Sequence, residues 1–424
     1  VSRSPLPAPG SPAATKFGAL QHRDYRRYFT LGLLSATADN IEHVISYWVI
    51  FHAFHSPTLA GFAVISHWVP FLLFSVHAGA LADRYDCRKL VQVSQGLFAL
   101  ASLAWAVLFL TGTLRIWHAA VILLVHGAAG VIGLPASQLM VYDIVGRERL
   151  PSAIRLNATS RYLAILLGPA VGGGLMLLLG PGLGLLANIL FYAPFTIFLA
   201  RTPYTGHTRD TERPRAPRFG LAEIRGLLTE ARADSRIVTM IVLGGATSLL
   251  VGNAFQAQMP EYAQQLGADD SGTRYSVLLA ANAAGAVVGA VLLESAAFIR
   301  LTARPAIVCA AIWGVLMAMF PATTSYPTAV LLLALAGVVN IAFTSMAQTL
   351  IQLLAPPHLR GGMVGLFNTS MLGLRAGSGV TVGVLGAVIG IQWSLALASA
   401  AVALVALGLL VVDARSGPRP GLPA

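Results

Sequence analysis

The sequence predicts an all-α membrane protein: twelve transmembrane helices arranged as two six-helix bundles, with both termini cytoplasmic. Three observations predict it. First, apolar runs recur from about Tyr28 to Val412 in a 424-residue chain that is 56% hydrophobic and 11% charged, against roughly 25% charged for soluble proteins. A spanning helix needs about 20 such residues, so twelve fit with short connectors. Second, the 28 Lys and Arg are sorted by position: the tails and even-numbered loops hold 24, the odd-numbered loops hold only Arg115 and Arg274, and Arg161 and Arg375 fall inside spans. Cytoplasmic loops retain Lys and Arg, so both tails lie inside and the number of spans is even. Third, the halves echo each other. Gly61/Gly272, Asn157/Asn368, Gly168/Gly379 and Gly172/Gly383 are each 211 residues apart, and Gly79/Gly289 and Gln138/Gln348 are 210 apart. A near-constant offset suggests a duplicated six-helix unit, the arrangement in which two parallel repeats enclose a central site.

In chain order, residues 1–27 are a Pro-rich, basic cytoplasmic tail. It lacks the apolar core of a cleavable signal peptide, so the first span would serve as targeting signal. The N-terminal bundle, 28–200, holds spans at 28–52, 60–82, 90–112, 117–142, 153–180 and 182–200. The linker 201–236 is the only long polar stretch, with eight Arg, five acids and a short amphipathic helix expected at 219–232. The C-terminal bundle, 237–412, holds spans at 237–263, 273–298, 304–322, 328–354, 362–389 and 391–412, and 413–424 is a cytoplasmic tail. The net charge of +11 sits in loops flanking the spans. Topology and attraction to anionic lipid explain it, so the bilayer and not nucleic acid is the expected partner. Cys87 and Cys309 imply no disulfide framework.

Two segments carry a family resemblance. Residues Gly79 to Leu90 read GALADRYDCRKL. Gly79 suits close helix packing, Asp83 can accept hydrogen bonds, and Arg84, Arg88 and Lys89 hold the loop inside. This resembles the loop motif between the second and third helices of the major facilitator superfamily. The resemblance implies that Asp83 latches the two halves in one conformation, partnered by arginines near Arg147 and by the start of the eleventh span at Gly361 and Gly362. Residues 135–173 hold Pro135, Asp143, the basic loop Arg147–Arg149, Asn157 and then Gly168-Pro169-Ala170-Val171-Gly172-Gly173. This order resembles the branch of that superfamily containing macrolide and enterobactin-type siderophore exporters. Small residues let helices approach closely, and proline allows a kink where a neighbour re-satisfies the backbone. In the wider superfamily the run Gly168, Pro169, Gly172, Gly173 accompanies export by exchange, although plain helix packing explains the residues equally well. There are two departures. The leading Gly of the run is Ala164 here. In the fourth span, the Arg and Gln of many proton-coupled drug exporters are Leu123 and His126.

Ionisable groups inside a bilayer are costly and usually functional. Asp39, Glu42 and His43 lie near the middle of the first span at i, i+3 and i+4, on one helical face. Asp39 and Glu42 are therefore the first candidates for proton coupling or for binding a cationic group. His43 and His67 should lie at similar depth on antiparallel neighbours, where they could share a proton or a metal with Glu42. They lack a fixed ligand spacing, so no metal or cofactor is expected. Arg161 and Arg375 occupy the corresponding fifth and eleventh spans. They suit an anionic substrate group or a partner acid such as Asp143. Tyr47, Trp48, Trp68 and Phe71 are candidate cavity walls.

The expected function is secondary-active export of a small amphipathic solute (drug, siderophore or metabolite) by alternating access, coupled to protons, in a monomer of a bacterial inner membrane. An importer, a facilitator or a lysolipid flippase would use the same scaffold. No H-E-x-x-H pair, nucleophile elbow or Walker lysine occurs, and the only lysines are Lys16 and Lys89, so neither an enzyme nor an ATP-driven pump is expected.

Overall fold

A computed structural model describes residues 18–208, 221–267, 272–295, 302–356 and 360–415. Described residues outside the loops are almost entirely helical. In the N-terminal half α1 is Arg23–Phe54, α2 is Pro57–Arg84, α3 is Cys87–Leu110 and α4 is Ile116–Arg201. After α5 (Leu221–Ala233) in the linker come α6 (Ser235–Leu250), α7 (Ala254–Ala257), α8 (Met259–Gln265), α9 (Thr273–Ser295), α10 (Ala303–Met319) and α11 (Tyr326–Leu354). The remainder is α12 (Arg360–Asn368), α13 (Arg375–Ser378), α14 (Leu385–Ile389) and α15 (Ile391–Arg415).

Local signals set the turns. Ser56 caps α2 by accepting from the Leu59 N–H at 3.2 Å, with Pro57 at the first helical position. Asp86 caps α3 and Asp234 caps α6, each accepting from the N–H two residues on and each clamped by that residue's guanidinium, Arg88 or Arg236. The expected loop after the fourth span is instead a sharp break inside α4. Gly146 takes φ 70° and Gly180 φ 75°, where a side chain would be strained, so the chain reverses at single glycines. α4 therefore has three limbs, 116–145, 147–179 and 181–201. The amphipathic linker helix expected at 219–232 is α5.

Nine segments among the described residues are long and apolar enough to cross a membrane. α1 is helical across the expected first span, but Asp39, Asn40, Glu42 and His43 interrupt its apolar run. The segment Leu163–Arg201 folds back at Gly180. The seventh expected span, 237–263, is not continuous: α6 ends in a turn around Gly252, at φ 43°, and resumes as α7 and α8. The eleventh, 362–389, winds through two π-helical stretches, Thr369–Gly373 and Gly379–Val384, on either side of α13. π-turns inside α-helices are frequent at functional sites.

The buried core shows how the halves meet. At the end bearing the tails it divides in two. One cluster is built from Tyr25, Tyr28, Val91, Met140, Ile144 and Leu199 of the N-terminal half, the other from Ile237, Met240, Ile307, Phe343, Met363 and Phe367 of the C-terminal half. At the opposite, distal end one cluster includes residues of both halves, among them Ile45, Val64, Trp105, Tyr262, Tyr275 and Trp313. Named close approaches between halves agree. The Tyr275 hydroxyl donates to the Val44 carbonyl at 2.9 Å, Gly61 of α2 packs directly on Gly379 and Gly383, and Gly173 of α4 packs on Ser276 of α9. The two halves are thus joined distally and parted towards the tails. Leu178, Leu190 and Val388 are more than two-thirds exposed, as suits a lipid-facing surface.

Candidate transport site

The site is built where small residues let α1, α2 and α4 approach. A side chain at Gly127 would collide with the Ser66 carbonyl of α2, and one at Gly130 would crowd Phe71. That closeness places His126 of α4 beside His67 of α2, with ring centroids 5.5 Å apart. On the other flank, Gly168 of α4 packs against Asn40 and Gly172 against Ile41 and Val44. Asn188 of the third α4 limb donates to the Ala38 carbonyl at 2.9 Å. α1 is therefore held on both sides at the turn that carries Asp39, Glu42 and His43.

These side chains form one cluster. His126 Nε2 lies 3.0 Å from Asp39 Oδ1, and His126 Nδ1 touches Glu42 Oε2. His43 is 4.7 Å from His126 and 5.1 Å from His67 between ring centroids. The proximities are not hydrogen bonds by angle: Asp39 Oδ1, Glu42 Oε2, His67 Nδ1 and both His126 nitrogens are buried without a hydrogen-bond partner. The Asp39 side chain is 30% exposed and that of Glu42 2%, so the cluster runs from an open face into the bundle interior. A small cavity of about 10 Å3 lies between Glu42, His43, Ser46, Tyr47, His67 and His126. That is room for about one water or ion.

Arg375 approaches from the other half. It sits between the two π-helical stretches, donates from Nε to the Met371 carbonyl at 3.1 Å, and places its guanidinium 5.0 Å from the ring centroid of Trp68 on α2. That cation–π contact bridges the halves. Arg161 is exposed. Asp143 is engaged elsewhere. Buried at 1%, it accepts from Gly206 N at 2.9 Å and Thr208 Oγ1 at 2.7 Å, so it pins the start of the linker to α4.

Other expected residues fall as follows. Gly168, Gly172 and Gly173 lie on the α4 seam, the first two against α1 and the third against α9 of the other half, with Pro169 between them. Asp83 and Arg84 are exposed at the end of α2, and nothing stands within 4 Å of where a side chain on Gly79 would begin. Arg88 turns to Asp86 and to the Thr202 carbonyl, 2.7 Å from Nη1. The side chain of Arg147 and the surroundings of Gly361 and Gly362 lie outside what the structure describes. His126 departs from the family pattern in sequence, yet nothing in the sequence places it in the site. The one signal was that substitution itself, a histidine inside an apolar span.

A family model described as transmembrane secretion effector, a major facilitator family, matches residues 14–418. The chain belongs to this family. It is a transporter family, so the protein is a multi-pass membrane transporter and not an enzyme. One curated relative is the staphyloferrin A transporter of Staphylococcus aureus (strain NCTC 8325 / PS 47), 21% identical over 147 residues. That match spans 34% of this chain and 37% of the relative. Among solved structures, the nucleoside transporter NupG superposes with a TM-score of 0.70 at 11% identity, over 92% of this chain and 99% of NupG. The D-xylose-proton symporter gives 0.66 at 16% identity, over 90% and 95%. A bacterial homologue of the lysosomal transporter Spinster, inward-facing and occupied, gives 0.68 at 14%, over 93% and 96%. At these identities the superpositions speak for the fold, and the secretion effector shares the major facilitator architecture.

Proposed function

We propose that this secretion effector is a proton-driven exporter of a small amphipathic solute, working by alternating access. In this reading twelve spans form the bundles 28–200 and 237–412, both tails and the linker 201–236 are cytoplasmic, and the protein acts as a monomer in a bacterial inner membrane. The observation that carries it is the pairing of a parted tail end with a charged site at the depth where the halves still touch. Solute enters from the cytoplasmic side. Arg161 and Arg375 attract an acidic group of it, and Tyr47, Trp68 and Phe71 offer apolar walls. Asp39, Glu42, His43, His67 and His126 form the coupling site, and rocking of the bundles about the distal contact delivers the solute outward. Asp83 latches the tail end when it closes, with Gly79 as the packing point and Arg84, Arg88 and Arg147 as neighbouring charges. The match to a siderophore transporter favours a metabolite of that kind as solute.

Transport into inside-out vesicles tests the reading. An acid lumen should drive accumulation of a fluorescent amphipathic anion, and Asp39→Asn with Glu42→Gln should abolish that dependence. Accumulation indifferent to the gradient, or undiminished in the double variant, would overturn the drive or the site respectively. Cysteine placed at Arg115 or Arg274 should label only from outside intact cells.

A further inference from the structure

We propose that the cluster of Asp39, Glu42, His43, His67 and His126 binds one divalent transition-metal ion of the zinc class. This goes beyond the export reading, because it is an equilibrium property of the N-terminal bundle and holds for either direction of transport. Four observations carry it.

The donors converge. One ligand atom from each of Asp39, Glu42, His43 and His126 lies within 4.8 Å of the others, and the ring nitrogens of His43, His67 and His126 form a second such set. Tetrahedral ligands about 2.1 Å from an ion stand roughly 3.4 Å apart, so side-chain rotations on the order of 1 Å close either set onto one centre. Five of the donors' atoms are buried without a hydrogen-bond partner, and four of these meet only one another, His126 against Asp39 and Glu42. A buried polar atom in that state is costly unless something fills its lone pair. They surround a space of the right size, since Glu42, His43, His67 and His126 all line the cavity of about 10 Å3.

The fourth observation concerns tautomer and charge. His43 Nδ1 stands 2.7 Å from the backbone carbonyl of Asp39. A ring nitrogen facing a carbonyl is the donor, which leaves the lone pair on Nε2. This is the outer-shell arrangement common for metal-bound histidine. Two carboxylates among the donors supply negative charge for a divalent ion in a setting where uncompensated charge is expensive. Imidazole with carboxylate and no thiolate selects a zinc-class ion over calcium or magnesium. Cys87 and Cys309 lie outside the set.

The test uses full-length protein purified in detergent and stripped with chelator, with Zn2+ as probe in equilibrium dialysis. About one equivalent should bind. His126→Ala and Glu42→Gln should each weaken binding at least tenfold, and His77→Asn, at an exposed position, should leave it unchanged. Co2+ offered to the wild-type protein should show the visible absorption of a four-coordinate nitrogen–oxygen site and lose it when Zn2+ is added. This second readout stands if a variant fails to fold. Wild-type protein that binds no Zn2+ above background would overturn the proposal, as would equal binding by folded wild type and His126→Ala. In either case His126 serves as a protonated bridge between two carboxylates and the export reading is untouched.

Discussion

His126 illustrates how one side chain decides the state of its neighbours. Glu42 is almost wholly enclosed, and the ring of His126 on α4 touches its carboxylate as an ion-pair partner. Removing one member of a buried ion pair costs more than the pair contributes, because the remaining charge stays desolvated. His126→Ala should therefore lower stability by about 3 kcal/mol, read as a drop in unfolding temperature in detergent. His126→Ala combined with Glu42→Gln should lose less than the two single changes added. Asp86 works at the surface. Burial pushes its carboxyl up, but the hydrogen bonds and charge of Arg88, with Lys89 nearby, more than offset this and hold it below the ordinary carboxylate value. A depressed carboxyl stabilises the fold above its unfolded value of about 3.9. That contribution is lost as pH falls through the lower folded value. Asp86→Ala should cost about 1 kcal/mol at neutral pH, and the deficit should close as pH falls through the folded value of Asp86, as a pH series of melting curves would show.

At the scale of elements, the glycines at helix crossings set the geometry. Gly61 meets Gly379 and Gly383 so closely that a side chain on any of them strikes the backbone opposite. Gly383→Val should wedge α2 away from this stretch and open the distal end. A cysteine placed at Ser46, which lines the cavity, should then react with a membrane-impermeant maleimide from outside several-fold faster than in the parent protein. An unchanged rate would show that this crossing does not gate the outer path. These crossings also explain what the sequence made legible. The offset of 211 residues linked Gly172 to Gly383 and Gly168 to Gly379, and both pairs sit at helix crossings. Periodicity and the sorting of arginines made the helical class readable, and the motifs at 79–90 and 135–173 carried the family resemblance. The breaks at Gly146 and Gly252 and the π-helical turns were not readable, because glycine is abundant here and its backbone angle depends on packing from other helices. His43, His67 and His126 could not be assembled from spacing either, since they come from three different helices.

At the scale of the molecule, the proposed cycle takes one shared core at the distal end and two separate cores towards the tails as one of its stages. The alternating-access account requires its mirror stage. There the tail end closes on Gly79 and Asp83, neither of which has a close side-chain partner among the described residues, and the contacts of Tyr275, Gly61 and Gly173 separate. Spin labels on Leu81 and Leu353 at the tail end, and on Trp117 and Trp393 at the distal end, report both gaps in reconstituted protein whose native cysteines are replaced. All four positions are exposed. Imposing a pH gradient in the presence of solute should shorten the first distance and lengthen the second together. Distances that stay fixed, or that change in the same direction, would contradict the rocking-bundle account.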